Sequence, residues 1–539
     1  MIEVSGIRVP ISRLDGSERA EVRACRKALV RMLGVRPGDI LDLKLRRRSI
    51  DARKKNSIFI LFTVWAKVRG NEASIARDAG GKARLVIETP YGLPDQLAAP
   101  SGPRPVVVGA GCAGLFCALA LASAGLRPLL VERGDDADRR TELVRHFNAT
   151  GELDTESNIQ FGLGGAGTFS DGKLSTGTKS PFHRLILELL AEAGAQRRIL
   201  WDAKPHVGSD ILPSVVTRIA RRIEKLGGEV RFRTRFAGLE LDGRQVRGVR
   251  LEQGGREETV RTTDVVLACG HSARDVFELL RDANVELERK TFAMGVRIEH
   301  LQADIDRSLY GASAGHPALG PAPYKLAVHL PNGRSAFSFC MCPGGYVVAA
   351  ASEPDGVVTN GMSLSDRAGT NANSGLLANV FPTDLSGEDV LAGVELQRTC
   401  ERAAFEAGGG AFAAPAQLVG DFLAEAASSA GGPVAPTYPR GVTWGNATAA
   451  LPSYVADTLR AAIPLMNRKL RGFSYPGAVL TGVETRSSSP VRVTRGENLQ
   501  SVNTPGLWPC GEGAGYAGGI MSAAADGLRT AEALISSRR

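Results

Sequence analysis

Glycine spacing is the first feature of this chain in which residue type and position imply chemistry. Three segments carry the pattern G-x-G-x-x-G: Gly109–Gly114, Gly162–Gly167 and Gly513–Gly518. Glycines at this spacing let backbone amides approach a phosphate closely, at the N-terminus of a helix whose dipole favours negative charge. The pattern alone is weak. A dinucleotide site also needs a buried strand before it, a helix opening at the third glycine and an acid about 20 residues on.

The first match meets every condition. Val106-Val107-Val108 precedes it, and Gly114, Ala118 and Ala122 recur every fourth residue, giving a helix face small enough to lie close to a sheet. Gly125 stops that helix, Pro128–Val131 supplies the next strand, and Glu132 and Arg133 follow it. Gly109, Gly111, Cys112, Ala113 and Gly114 are therefore expected to cradle a pyrophosphate, and Glu132 to accept from an adenosine ribose. The second match follows the polar run Glu156-Ser157-Asn158 and leads into Thr168-Phe169-Ser170-Asp171-Gly172, which cannot open a stable helix. It reads as a glycine loop that could lie along a cofactor. The third has a strand-like Leu507-Trp508-Pro509-Cys510 before it and an apolar helix from Ile520 after it. Only 21 residues follow Gly518, too few for a βαβ unit. It is expected to complete the first site, with the helix start at Gly518-Gly519-Ile520-Met521 aimed at another negative group. One nucleotide site finished from some 400 residues away is the layout of FAD enzymes, and no separate NAD(P) domain is visible.

The elements that must position these residues fall into four stretches. Residues 1–95 form a small basic α/β domain, 100–285 the first part of an FAD-binding domain, 286–475 an inserted substrate (cap) domain and 476–539 the C-terminal part of the FAD domain. The fold class is α/β: a Rossmann-like, glutathione-reductase-type FAD domain with an inserted α+β domain. A Pro/Gly-rich linker, residues 91–103, separates it from the N-terminal unit. There, Ser17 to Leu33 has helical spacing and Ile40 to Leu45 and Ser57 to Val68 alternate like strands.

Composition fits a globular chain, with 43% hydrophobic and 23% charged residues among 539. The net charge of +9 is confined to residues 1–100, which hold 20 Lys+Arg against 11 Asp+Glu. Six of those cations lie between Arg46 and Lys55, either a solvated hairpin or a site for an anionic partner. Aromatics do not interleave within that cluster, so nucleic acid is not the expected partner. Eight cysteines show no CxxC pair and no metal-ligand spacing. Cys340 and Cys342 read as buried thiols. With no signal core and no long apolar run, a cytoplasmic protein without a membrane span is expected. The sequence sets no oligomeric state.

Longer motifs resemble an uncharacterised family of bacterial FAD-dependent dehydrogenases that carry a small N-terminal domain. They include residues 47–55, the run 158–174 (NIQFGLGGAGTFSDGKL), 270–275, 295–300, 339–345, 482–486 and 509–519. The layout is more distantly similar to geranylgeranyl reductases. The resemblance implies bound FAD and redox chemistry. It implies further that Gly164, Gly165 and Thr168 lie near the pyrophosphate or flavin, and that Ala268, Cys269 and Gly270 pass under the dinucleotide. Gly511 and Glu512 would meet the ribityl or pyrophosphate, and the amides around Gly519, Ile520 and Met521 the flavin pyrimidine edge.

Hydride transfer by the flavin needs a proton donor or acceptor beside the substrate. Tyr516, Arg297 and Lys325 are the catalytic candidates, with Glu299, His300, His271 and Lys173 behind them. Arg297 and Glu299 alternate on one strand face and would pair with each other or meet the substrate. His271 would cap the next helix. The expected activity is an FAD-dependent dehydrogenase or reductase acting on a small, anionic organic molecule, with NAD(P)H as a transient electron donor. The same motifs admit a flavin-dependent RNA-modifying enzyme that uses the basic N-terminal domain, or a non-catalytic flavoprotein.

Overall fold

The computed structural model describes residues 1–88, 91–98 and 102–538, so the linker of residues 91–103 lies partly outside the described residues. At its centre is a five-stranded parallel sheet in the order Leu507–Pro509, Val265–Leu267, Val106–Val108, Leu129–Val131, Glu229–Arg231. The inner strands are buried on both faces and uniformly apolar, as parallel strands covered by helices must be. The strand Leu507–Pro509, drawn from the far end of the chain, forms one edge. Behind it the final helix, Ile520–Ser537, packs along the fingerprint helix Cys112–Ser123. That approach needs glycine. A Cβ on Gly527 would stand 2.1 Å from the Ala113 carbonyl oxygen, and one on Gly114 only 1.8 Å from that of Gly109.

The inserted domain is a mostly antiparallel sheet in the order Ala327–His329, Ser335–Ala349, Asn371–Val380, Phe292–Leu301, Val479–Glu484, Ala414–Leu418, Val442–Trp444. The expected boundary at 475/476 falls one strand early, because Val479–Glu484 is paired with Phe292–Leu301 on one side and Ala414–Leu418 on the other. The chain leaves this sheet only after Glu484. It rejoins the FAD domain at Val491–Val493, which pairs with Leu287–Arg289.

The N-terminal unit is an antiparallel sheet, Ile40–Asp51, Phe59–Val68, Ile2–Pro10, Ala83–Leu85. Ser17 caps its main helix, Glu18–Leu33, accepting from the Ala20 amide at 3.2 Å, and Gly34 ends it with a φ of 64°. The basic run is dispersed rather than pooled. Arg46 stacks on Trp65 at 3.8 Å, and Arg53 pairs with Asp51 at 2.7 Å. Arg48 is buried against Glu21 at 2.6 Å, while its backbone pairs with the Trp201 and Ala203 backbone of the FAD domain. Part of this cluster is thus an interdomain joint. Among the described residues no helix is long and apolar enough to cross a membrane.

Candidate functional site

The fingerprint turn, the glycine loop and the third glycine segment meet. The Gly164 amide donates to the Ala110 carbonyl at 2.8 Å, and Gly111 and Gly164 form an isolated parallel bridge. A Cβ on Gly165 would stand 3.1 Å from Gly111 Cα, and one on Gly167 would contact Ile520 and Cys112. On the other side a Cβ on Gly511 would press on Ala113 at 2.7 Å, and one on Gly513 on the Gly270 carbonyl at 2.5 Å. Side chains built at Gly270, Gly518 and Gly519 would instead enter open space. The segments therefore line a trough that bare backbone leaves clear.

At one end of this trough is a cavity lined by Gly109, Gly111, Glu132, Arg133, Gly165 and the turn 268–270. Gln160, Phe161, Arg235, Phe236 and Val276 complete its wall; sequence reasoning missed these because they come from unrelated loops and strands. Arg133 lies 4.4 Å over the Phe161 ring and pairs with Glu156 and Asp275 at 2.8 and 2.9 Å. The Glu132 carboxylate is held by the amides of Ala110, Gly134 and Gly162 at 2.8 to 3.0 Å, so it also sets the shape of both glycine turns.

At the other end, Glu512 is half-buried and accepts from the Gly519 amide at 3.4 Å. Burial pushes its carboxyl up to about 7, against the pull of the Gly519 amide and of Lys290. Two buried arginine side chains, Arg495 and Arg140, fix the surroundings, and neither has a sequence signature. Asp526 binds Arg495 through both oxygens, at 2.7 and 2.9 Å, and accepts from the Gly511 amide at 2.8 Å. Arg140, fully buried, donates to the carbonyls of Asn158, Ile159, Leu163 and Gly165 at 2.8 to 3.0 Å, and to Gly162 at 3.3 Å. It thereby gives the glycine loop its form in place of a helix. Thr168 is buried inside that loop and donates to the Leu163 carbonyl at 3.3 Å.

The catalytic candidates separate. Arg297 is fully buried, bonded to Glu484 through two nitrogens and to Asn360, Asn373 and the Cys340 carbonyl. It has no face left for a substrate. Its expected partner Glu299 is taken instead by Thr437 and Asn371. The Tyr516 hydroxyl accepts from the Arg495 amide at 3.0 Å and its ring is covered by the Arg495 guanidinium at 3.9 Å, so it braces the loop. His300 is buried against the Phe473 carbonyl, with its pKa lowered to about 4 by that burial. His271 caps nothing: the helix Arg274–Asp282 begins without a side-chain cap. Burial and the neighbouring Arg486 and Arg274 lower His271 to about 3, which keeps it neutral. Lys325 is exposed. Cys342 is buried, but Cys340 is exposed at a bulge with a φ of 40°, contrary to its reading as a buried thiol.

Residues 104–142 and 146–291 match an FAD binding domain, and residues 291–487 match a family described as FAD-dependent protein, C-terminal domain-like. Residues 1–66 match a domain of unknown function. Together with the trough, these matches define the class: an FAD-binding flavoprotein. An uncharacterised protein of Clostridium beijerinckii is 42% identical over 532 residues, 98% of either chain. The chain belongs to this family of bacterial FAD-dependent proteins with a small N-terminal domain. Solved structures overlap more loosely. A geranylgeranyl bacteriochlorophyll reductase-like protein of Thermoplasma acidophilum is 13% identical, over 81% of this chain and 79% of that one, at a TM-score of 0.35. The glycerol-3-phosphate dehydrogenase of Bacillus halodurans complexed with FAD is 11% identical, over 81% and 64%, also at 0.35. Overlaps this loose say nothing about substrate.

Proposed function

We propose that the protein is an FAD-dependent oxidoreductase that moves a hydride between its flavin and a small anionic organic molecule. The observation that carries this reading is the convergence of Gly109–Gly114, Gly164–Gly165 and Gly511–Gly519 on one clear trough. When bound, FAD supplies the hydride chemistry. The chain would supply binding and orientation. Amides of Cys112, Ala113 and Gly114 would hold the pyrophosphate at the helix start, and Glu132, Arg133 and the 268–270 turn the adenosine. Glu512 would face the ribityl chain, and the amides at Gly519, Ile520 and Met521 the flavin edge. Reductant would come from outside as a transiently bound donor such as NAD(P)H.

The test is direct. Purified full-length protein should carry FAD, or take it up stoichiometrically, show the visible flavin absorbance, and be bleached and recoloured by a reductant and an acceptor. Protein that refuses FAD on reconstitution overturns the reading. Bound flavin that no reductant or acceptor turns over reduces it to a non-catalytic flavoprotein.

A further inference from the structure

The glycine loop that runs along the fingerprint ends among cations. Lys173 and His206 form an isolated antiparallel bridge, locked by the Leu174 amide on the Pro205 carbonyl at 2.9 Å and the Val207 amide on that of Gly172 at 3.1 Å. This sets Lys204 beside Lys173. From the inserted domain, Arg367 binds Asp171 through two nitrogens and His206 meets the Ser365 carbonyl at 3.1 Å. Lys173 reaches the Met341 carbonyl and stands 3.9 Å from Asp171. The buried Asp171 is thus already shared by two cations, and Asp210 nearby is taken by the Ser365 amide and hydroxyl. Lys204 and Lys325 have no ion-pair or hydrogen-bond partner among the described residues. Lys204 is exposed, yet partial desolvation pushes its ammonium below the usual range, and so do the neighbouring positive charges of Lys173, Arg367 and Lys325.

Lys173 and Arg367 already share the one carboxylate of Asp171, so the exposed Lys204 and Lys325 add positive charge beside them that an incoming anion would offset. We propose that Lys204 and Lys325, backed by Lys173 and Arg367, receive an oxyanion group, carboxylate or phosphate, of the substrate. That the ligand is a substrate rests on the oxidoreductase reading; the anion site itself does not. The loop that would touch the pyrophosphate at Gly164 and Gly165 runs on to Lys173, eight residues after Gly165.

Isothermal titration of the full-length, FAD-reconstituted protein at low salt, with malonate and separately with inorganic phosphate, tests the site. One-site binding of either anion is expected, and the preferred one gives the chemistry of the group. The double variant Lys204→Gln/Lys325→Gln should weaken binding roughly tenfold or more. It should retain FAD absorbance and an anion-free thermal midpoint at or above that of the parent, since it relieves like-charge repulsion. Undiminished affinity in the variant overturns the proposal, as does a parent that binds neither anion. A chain that binds anion but no FAD supports the anion site and sinks the oxidoreductase reading.

Discussion

A guanidinium carries its N–H donors in one plane, and Arg140 directs Nε, Nη1 and Nη2 at five carbonyls of the segment 158–165, three of them sharing Nη1. Arg140→Met keeps the length and removes the donors, stranding buried carbonyls at about 1–3 kcal/mol each. A loss of about 3 kcal/mol or more in urea unfolding is expected, with weaker FAD retention on gel filtration; Lys should restore little, being a point donor. Parent-like stability together with parent-like FAD retention would refute this role. Glu512 makes a pH prediction. Its folded carboxyl is raised from the usual carboxylate range to about 7 by burial, so the apo folded state holds a proton that the unfolded chain has released. Stability from this group is full below the unfolded pKa and declines as pH rises toward about 7, then levels off. Glu512→Gln should flatten that part of the apo stability profile; an unchanged slope would show that another group causes it.

At the scale of elements, the crossing of the fingerprint helix with the final helix decides whether the two halves of the nucleotide site meet. Gly527→Val would drive a branched side chain into the Ala113 backbone, where a single Cβ already stands at 2.1 Å. Overpacking of this kind costs about 1–3 kcal/mol. Because Ala113 sits in the phosphate turn, FAD affinity should fall alongside the thermal midpoint. A variant that loses stability with unchanged FAD affinity would separate the crossing from the site. This element was readable in the chain because four-residue glycine and alanine spacing is a local signal, as was the missing helix after Gly167, which forms only a 3-10 turn at Ala166–Phe169. The boundary at 475 was not readable. An apolar strand such as Val479–Glu484 has the same pattern whichever sheet it joins, and only pairing over almost 200 residues assigns it. Arg140 and Asp526 escaped for a related reason: nothing in a sequence marks a charge that burial has paired with remote backbone. Arg297 misled in the opposite direction, since a charged residue in a strand reads as available until Glu484 is found opposite.

For the molecule as a whole, the question is what holds the inserted domain at a fixed height over the trough. Glu401, on the inserted helix Ala392–Ala407, is fully buried between Arg274 of the FAD domain at 2.7 Å and Arg486 of the returning segment at 2.6 Å. Thr485 donates to it as well, at 2.6 Å. Burial alone would raise this carboxyl, but the two guanidiniums overcome it and hold the group far below the usual carboxylate range. A depressed carboxyl contributes stability that is full above its unfolded pKa and is lost only as pH falls through the folded value. The joint should therefore survive mild acid. Glu401→Gln removes the charge while both arginines stay buried, and breaking such a cluster costs about 3–5 kcal/mol. The expected result is a lower thermal midpoint at neutral pH and a shallower loss of stability on acidification than in the parent. Protease cleavage near residues 484–491 should also quicken, where the chain passes from one sheet to the other. Bound FAD should slow that cleavage, because Gly270 lies only a few residues before Arg274 and links the trough to the joint. If cleavage of Glu401→Gln is parent-like with and without FAD, the two domains are held together by their apolar contacts and not by this triad.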